Sequence, residues 1–256
     1  MHHMSWASSM RAKYIFGIFL FFAIVIGVPT AIWLYEPASC FDGKLNQDEF
    51  SIDRGGPCRL LDERQLIPHA TLWARTFKVE DGKYSGVVYI ENPNQNAGAL
   101  KTPYRFKIYD ENNVLVAEKE GYMFIMPGVI TPFFIGNIAT GERNATRAFF
   151  EFAGPIVWER LNDRSSTLVV RNKEVTNVDT MPRVTAVIGN TGVKDIEDAE
   201  VVAVAFDSAG NAFAASSTLI PLIEGGESIV VSFTWPVQFE RRVARVDVLP
   251  SVVPVE

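Results

Sequence analysis

The sequence predicts an all-β protein, two β-sandwiches in tandem, behind a single N-terminal transmembrane helix. Three observations carry this. Residues 14–34 run for 21 positions without a charged side chain. Beyond residue 66, apolar and polar residues alternate in short runs separated by turn signals, and no amphipathic helix pattern of useful length occurs. The chain beyond residue 66 also repeats itself at a fixed offset.

The apolar run comes first. At 1.5 Å per residue it reaches about 30 Å as a helix, the thickness of a hydrocarbon core. It consists mainly of Phe, Ile, Leu, Val, Ala and Gly, with Pro29 near its end, a position a membrane helix tolerates. Tyr14 on one side and Trp33 and Tyr35 on the other suit the two interfaces. Arg11 and Lys13 precede the run, and Glu36 and Asp42 follow it. The positive-inside rule therefore assigns a cytoplasmic tail (1–13), a transmembrane helix (14–35) and an extracytoplasmic remainder in a single-pass protein of the cell membrane. The competing reading is a cleaved signal peptide. Such an apolar region is normally shorter and ends in small residues, whereas this one ends in Thr30-Ala31-Ile32-Trp33-Leu34. Pro37-Ala38-Ser39-Cys40 lacks the aliphatic residue a lipoprotein site carries three before its cysteine.

Arg11 and Lys13 account for two of the 24 Lys and Arg, leaving 22 against all 30 Asp and Glu, a net of −8 beyond residue 35. Nucleic acid is excluded as an expected partner, since that needs a positive field. The length beyond residue 66 suits two domains, placed at 67–160 and 161–256 after a cysteine-containing linker at 36–66.

That linker holds the only cysteines, Cys40 and Cys58, in a compartment that permits a disulfide. Asp42, Asn46, Asp48, Glu49 and Asp53 crowd oxygen ligands into the same stretch, and these five are the candidate calcium ligands. No bidentate Glu stands where an EF-hand loop needs it. The alternative is a polar, turn-rich segment whose Asp and Asn side chains bond the local backbone. The run Cys40-Phe41-Asp42-Gly43 through Asn46, Asp48-Glu49, Asp53 and Gly55-Gly56-Pro57-Cys58 resembles a short bacterial surface-protein motif, C-x-D-G-x-x-N-x-D-E followed by G-G-x-C. Arg54 and Leu61 stand where that motif has two further cysteines, so the resemblance implies that Cys40 and Cys58 are the surviving pair. In the chain-entropy account a loop of this length closed by a disulfide gains about 3 kcal/mol.

The repeat follows. Ser85-Gly86-Val87-Val88-Tyr89-Ile90-Glu91-Asn92 returns as Val184-Thr185-Ala186-Val187-Ile188-Gly189-Asn190, and Tyr104-Arg105-Phe106-Lys107-Ile108-Tyr109-Asp110 as Val201-Val202-Ala203-Val204-Ala205-Phe206-Asp207. Asn92 to Asn190 is an offset of 98 and Asp110 to Asp207 of 97. Each copy continues with a turn, an alternating run, a Pro/Gly turn (Pro127-Gly128; Gly225-Gly226), a further strand and a closing apolar strand at 147–152 or 245–249. Asn92 and Asn190 are expected to bond backbone across the turn that ends their strand. Asp110 and Asp207 are expected to accept N–H groups in the turns they open.

Phe106-Lys107-Ile108-Tyr109-Asp110 resembles the signature of the FxLYD domain, a bacterial immunoglobulin-like fold. The second copy keeps the turns, in Asp207-Ser208-Ala209-Gly210 and Gly225-Gly226-Glu227, but has Ala203 for the first Phe and Phe206 for the Tyr. The resemblance implies two immunoglobulin-like β-sandwiches and no activity. Period-two geometry puts Phe106 and Ile108 in a core and Tyr109 on the opposite face.

Of three histidines, His2 and His3 fall in the tail, so the outer part has only His69, and neither a His-rich zinc site nor a Ser-His-Asp triad is expected. No glycine-rich phosphate loop lies between a strand and a helix. The expectation is a non-enzymatic, membrane-anchored envelope protein without an obligatory cofactor. It would bind a protein partner or support assembly of a surface or secretion complex. The alternative is an extracytoplasmic ligand or calcium sensor acting through a membrane partner.

Overall fold

The structure, a computed structural model, describes residues 6–35 and 37–255. Its long helix, α1 (Trp6–Leu34), is apolar and exposed over Met10–Leu34, long and apolar enough to cross a membrane. The helix begins inside the stretch expected as tail, and the rest of that tail, residues 1–5, lies outside the described residues. Pro29 removes a backbone donor in the last turns, and the Thr30 hydroxyl donates to the Ile26 carbonyl at 2.7 Å beside it.

The remainder is all-β. The first domain holds β1 (Ala70–Glu80), β2 (Lys83–Glu91), β3 (Ala97–Tyr109), β4 (Leu115–Ile125), β5 (Ile130–Ala139), β6 (Arg147–Phe152) and the two-residue β7 (Glu159–Arg160). The second holds β8 (Leu168–Thr176), β9 (Arg183–Asn190), β10 (Ile196–Phe206), β11 (Ala212–Ile223), β12 (Ser228–Thr234) and β13 (Arg245–Ser251). In the first domain the sheet β1-β2-β5 faces the sheet β4-β3-β6, with β7 added to β3. In the second, β8-β9-β12 faces β11-β10-β13. The orders match strand for strand, so the repeat is one sandwich topology built twice. It is longer than its sequence landmarks, because each copy opens with a further strand, β1 or β8.

The same two corner devices hold each copy. Asn92 Nδ2 donates to the Ala97 and Met126 carbonyls at 2.6 and 2.9 Å, and its Oδ1 accepts the Asn94 N–H at 3.1 Å. Asn190 Nδ2 donates to Lys194 and Ile223 at 2.8 and 3.2 Å, and its Oδ1 accepts the Gly192 N–H at 3.0 Å. Both asparagines are buried. Asp110 Oδ1 accepts the N–H groups of Asn112 and Val114, and Asp207 Oδ1 those of Ala209 and Asn211.

The cores are filled differently. Phe106 and Ile108 are buried in the first, as period two requires. Gly86 lies so close that a Cβ there would sit 2.5 Å from the Phe106 ring. At the equivalent places the second core has Val184 and Ala203, both fully buried, and receives its ring from Phe233 on β12. Volume moves between strands while the packed total is kept.

A third apolar cluster joins the domains. Phe77, Val87 and Tyr89 of the β1-β2-β5 sheet pack on Val202, Val204 and Phe206 of β10 and Ala212 and Ala215 of β11. Trp73 packs on Tyr89 with the rings tilted by 35° and 4.2 Å between centroids, and meets Phe206 edge-on at 6.4 Å. Arg75 adds a donor to the Ala212 carbonyl at 3.2 Å. The β-domains are thus four sheets in a stack, and β2 and β10 are apolar on both faces because both faces are covered.

The segment expected as a linker is part of this body. Leu61 is buried in the first core, and its N–H donates to the Trp158 carbonyl at 2.9 Å. Arg59 Nε bonds Glu159 at 2.8 Å, and Arg160 bonds the Gly56 carbonyl at 2.7 Å. A short 3₁₀ turn, Glu63–Gln65, leads into β1, and the Asp62 side chain caps it by accepting the Arg64 N–H.

Candidate functional site

Two places gather polar chemistry: the loop closed by the disulfide and a crevice in the second domain. Cys40 and Cys58 form a disulfide with Cα atoms 5.5 Å apart, and Cys58 is buried. Within the loop the carboxylates collect backbone N–H groups. Asp42 Oδ1 accepts from Lys44 at 2.8 Å, and its Oδ2 accepts from Asn46 Nδ2 at 2.8 Å. The Asn46 amide, with the Lys44 and Ser39 N–H groups, holds the Asp42 carboxyl below its ordinary pKa. Asp53 Oδ1 accepts the Asp42 and Gly43 N–H groups at 3.1 and 3.3 Å. Glu49 Oε2 accepts those of Asn46 and Asp53, and its Oε1 lies 3.2 Å from Cys58 Sγ. Asp48 is exposed in a left-handed turn with φ 61°.

Of the five residues expected as calcium ligands, Asp42, Asn46, Glu49 and Asp53 are thus knit together by bonds to one another's backbone and side chains. Among the described residues, the three metal-ligating side chains whose ligand atoms gather within 4.8 Å are Cys40, Glu49 and Cys58, two of which are joined to each other. One atom stands apart: Asn46 Oδ1 is buried without a hydrogen-bond partner.

His69 sits between Phe152 and Trp158, with ring centroids 5.2 and 5.6 Å away, and desolvation there lowers its pKa against a weaker pull from Glu63. It packs as a ring.

The crevice lies between the end of β8, the turn after it and the connection from β12 to β13, and holds about 720 Å³. Its floor is apolar. Phe239 packs edge-to-face on Phe213 and Trp235 at 5.3 and 5.1 Å, and Val175 and Val178 line the wall. Its rim is mainly cationic. Lys173 Nζ donates to the Val246 carbonyl at 2.8 Å, Arg241 pairs with Asp207 at 2.9 Å, and Arg245 lies over the Phe206 ring at 4.2 Å. Asp207 is held below the ordinary carboxylate range, first by the Asn211 N–H and further by Arg241. Arg242 is exposed and makes no ion pair or side-chain hydrogen bond among the described residues. Asp179 and Glu240 are the acids of the lining. An apolar floor under guanidinium groups suits a segment carrying carboxylates beside apolar side chains. The sequence reading passed over this site. Its one signal is three arginines within Arg241-Arg242-Val243-Ala244-Arg245, in a half of the chain that is otherwise acidic.

No family's sequence profile matches the chain, and no curated protein does. Among solved structures, red sea bream transglutaminase is similar over 72% of this chain and 31% of its own, with 10% identity and a TM-score of 0.22. A Bacteroides uniformis β-glucuronidase is similar over 68% of this chain and 22% of its own, with 12% identity and a TM-score of 0.20. The chain spans less than a third of either, and likeness at this level carries no inference about activity.

Proposed function

We propose that this chain is a single-pass, membrane-anchored, non-enzymatic protein of a bacterial cell envelope. Its two packed sandwiches would form one rigid body that binds a protein partner and so supports assembly of a surface or secretion complex. The observation that carries the reading is the crevice of the second domain, where an apolar floor and an unpaired Arg242 lie side by side on a chain of net charge −6. Arginine beside aromatic anchors is the composition of energetically dominant contact sites. The partner segment is accordingly acidic and partly apolar. Crosslinking in intact cells followed by mass spectrometry tests this: the native chain should yield a protein that an Arg242→Glu, Lys173→Glu variant loses. Recovery of nothing above background with the native chain overturns it.

A second reading, calcium binding by the disulfide loop, is favoured by the partnerless Asn46 Oδ1. A bound ion would stabilise the fold by mass action. The melting temperature of the full chain in detergent should then rise in calcium relative to chelator, and equal values in the two remove the reading.

A further inference from the structure

We infer that the disulfide-closed loop is a second membrane contact, in which Phe41, Leu45 and Ile52 enter the bilayer interface beside the end of α1. This rests on the reading of α1 as an uncleaved anchor. The apolar side chains of the loop point outward: Phe41 is 82% exposed, Leu45 63% and Ile52 55%. Three exposed apolar side chains on one short, disulfide-closed loop are a feature that marks a contact.

The chain itself indicates the occupant. Phe41 follows Leu34, the end of the helix, by seven residues, so at full extension it lies within about 25 Å of it. The patch is therefore confined to the neighbourhood of the interface at which Trp33 and Tyr35 sit.

The loop is also built to present these residues. Asp53 accepts the N–H groups of Asp42 and Gly43, which ties the turn bearing Phe41 to the hairpin bearing Ile52. The disulfide and the Arg160 bond to the Gly56 carbonyl fix both to the first domain. The neighbouring carboxylates are no obstacle, because Asp42 and Asp53 turn toward the loop's own N–H groups. Exposed Asp48 stays with the headgroups and makes a zwitterionic surface the better fit. Shallow burial of a few apolar side chains is how interfacial segments hold a membrane. Because the loop is fixed to the first domain, its contact would also set the tilt of the four-sheet body over the bilayer.

The test uses the full chain reconstituted in phosphatidylcholine vesicles containing a lipid with a diazirine high in its acyl chain. After illumination, peptides are mapped by mass spectrometry. Labels are expected on α1 and on the peptide spanning Phe41 and Leu45. A Phe41→Ser, Leu45→Ser, Ile52→Ser variant should lose the loop label at least tenfold while keeping the helix label and an intact Cys40–Cys58 bond. Labelling of α1 with none on the native loop overturns the inference and leaves the anchor standing. Labelling of neither overturns the anchor reading and the inference with it.

Discussion

Asn190 gives both ends of its amide to the backbone, Nδ2 to the carbonyls of Lys194 and Ile223 and Oδ1 to the N–H of Gly192. Replacing it with Ala takes a partner from the buried Ile223 carbonyl and unties the turn, at about 1–3 kcal/mol. Urea denaturation should show that loss, and partner recovery by crosslinking should be unchanged. Such residues are legible in a sequence because their roles are local: Asn at a strand end and Asp at a turn need only their own neighbours. Core volume is not local. Nothing near Gly86 announces that Phe106 lies above it, yet the second domain holds Val184 and Ala203 at the same two places. Gly86→Val alone should destabilise the first domain by about 1–3 kcal/mol or more through overpacking. Phe106→Ala alone should cost about 3–5 kcal/mol through the void it leaves. Together they should cost less than the sum. A double-mutant cycle in urea measures the coupling, and additivity would show that the two sites do not share space.

Among the elements, β2 and β10 are buried along almost their whole length. Their composition carries this: Val201-Val202-Ala203-Val204-Ala205-Phe206 has no polar break, which is the mark of a strand covered on both faces. Period two alone hides this, because each alternate set is apolar. The segment before β1 was read as a linker from its turn residues, although Leu61 and the Arg59–Glu159 pair make it part of the first domain. Asp62 fastens that segment. The Arg64 guanidinium, with the Ser51 hydroxyl, holds its carboxyl far below the ordinary range. A depressed folded pKa contributes stability above the unfolded value, near 3.9, that is lost as pH falls through the folded one. Hydrogen exchange of residues 51–65 should therefore accelerate below about pH 4 before the strands do. In an Asp62→Asn variant this segment should already exchange faster at neutral pH, with no further acid step. For the disulfide, Cys40→Ser with Cys58→Ser should release about 3 kcal/mol of loop constraint. Proteolysis should then cut between residues 41 and 57 while the β-domains stay intact.

For the whole molecule, the deciding contrast is between two equivalent strand faces. On β3, Arg105 and Lys107 face outward and pair with Glu118, Glu120 and Glu151. On β10 the equivalent positions are Val202 and Val204, buried against the first domain. Of the second copy's departures from the F-x-L-Y-D pattern, Phe206 in place of the Tyr lies in the same seam. Val204→Asp should open that seam without unfolding either sandwich. One calorimetric transition should split into two, and the radius of gyration from X-ray scattering should increase. A single unshifted transition would mean that the seam contributes little. The crevice was illegible for another reason: Lys173 and Arg242 are brought together only by the closing of β8 against the β12–β13 connection.

The seam joins unlike faces, the β1-β2-β5 side of one sandwich to the β10 side of the next. A contact of this kind has no twofold axis and does not close on itself. The two outermost faces of the stack are a second copy of either: a β9 side with Val187 half-buried and Val230 exposed, and a β3 side carrying the Arg105 and Lys107 ion pairs. Those ion pairs set the β3 side apart from the β10 side, where the equivalent positions are Val202 and Val204. With Arg105→Val, Lys107→Val and Glu151→Val the β3 side would take on the character of β10. The two β-domains should then grow into head-to-tail filaments whose length rises with concentration, visible by sedimentation and light scattering, with no such growth expected of the native chain.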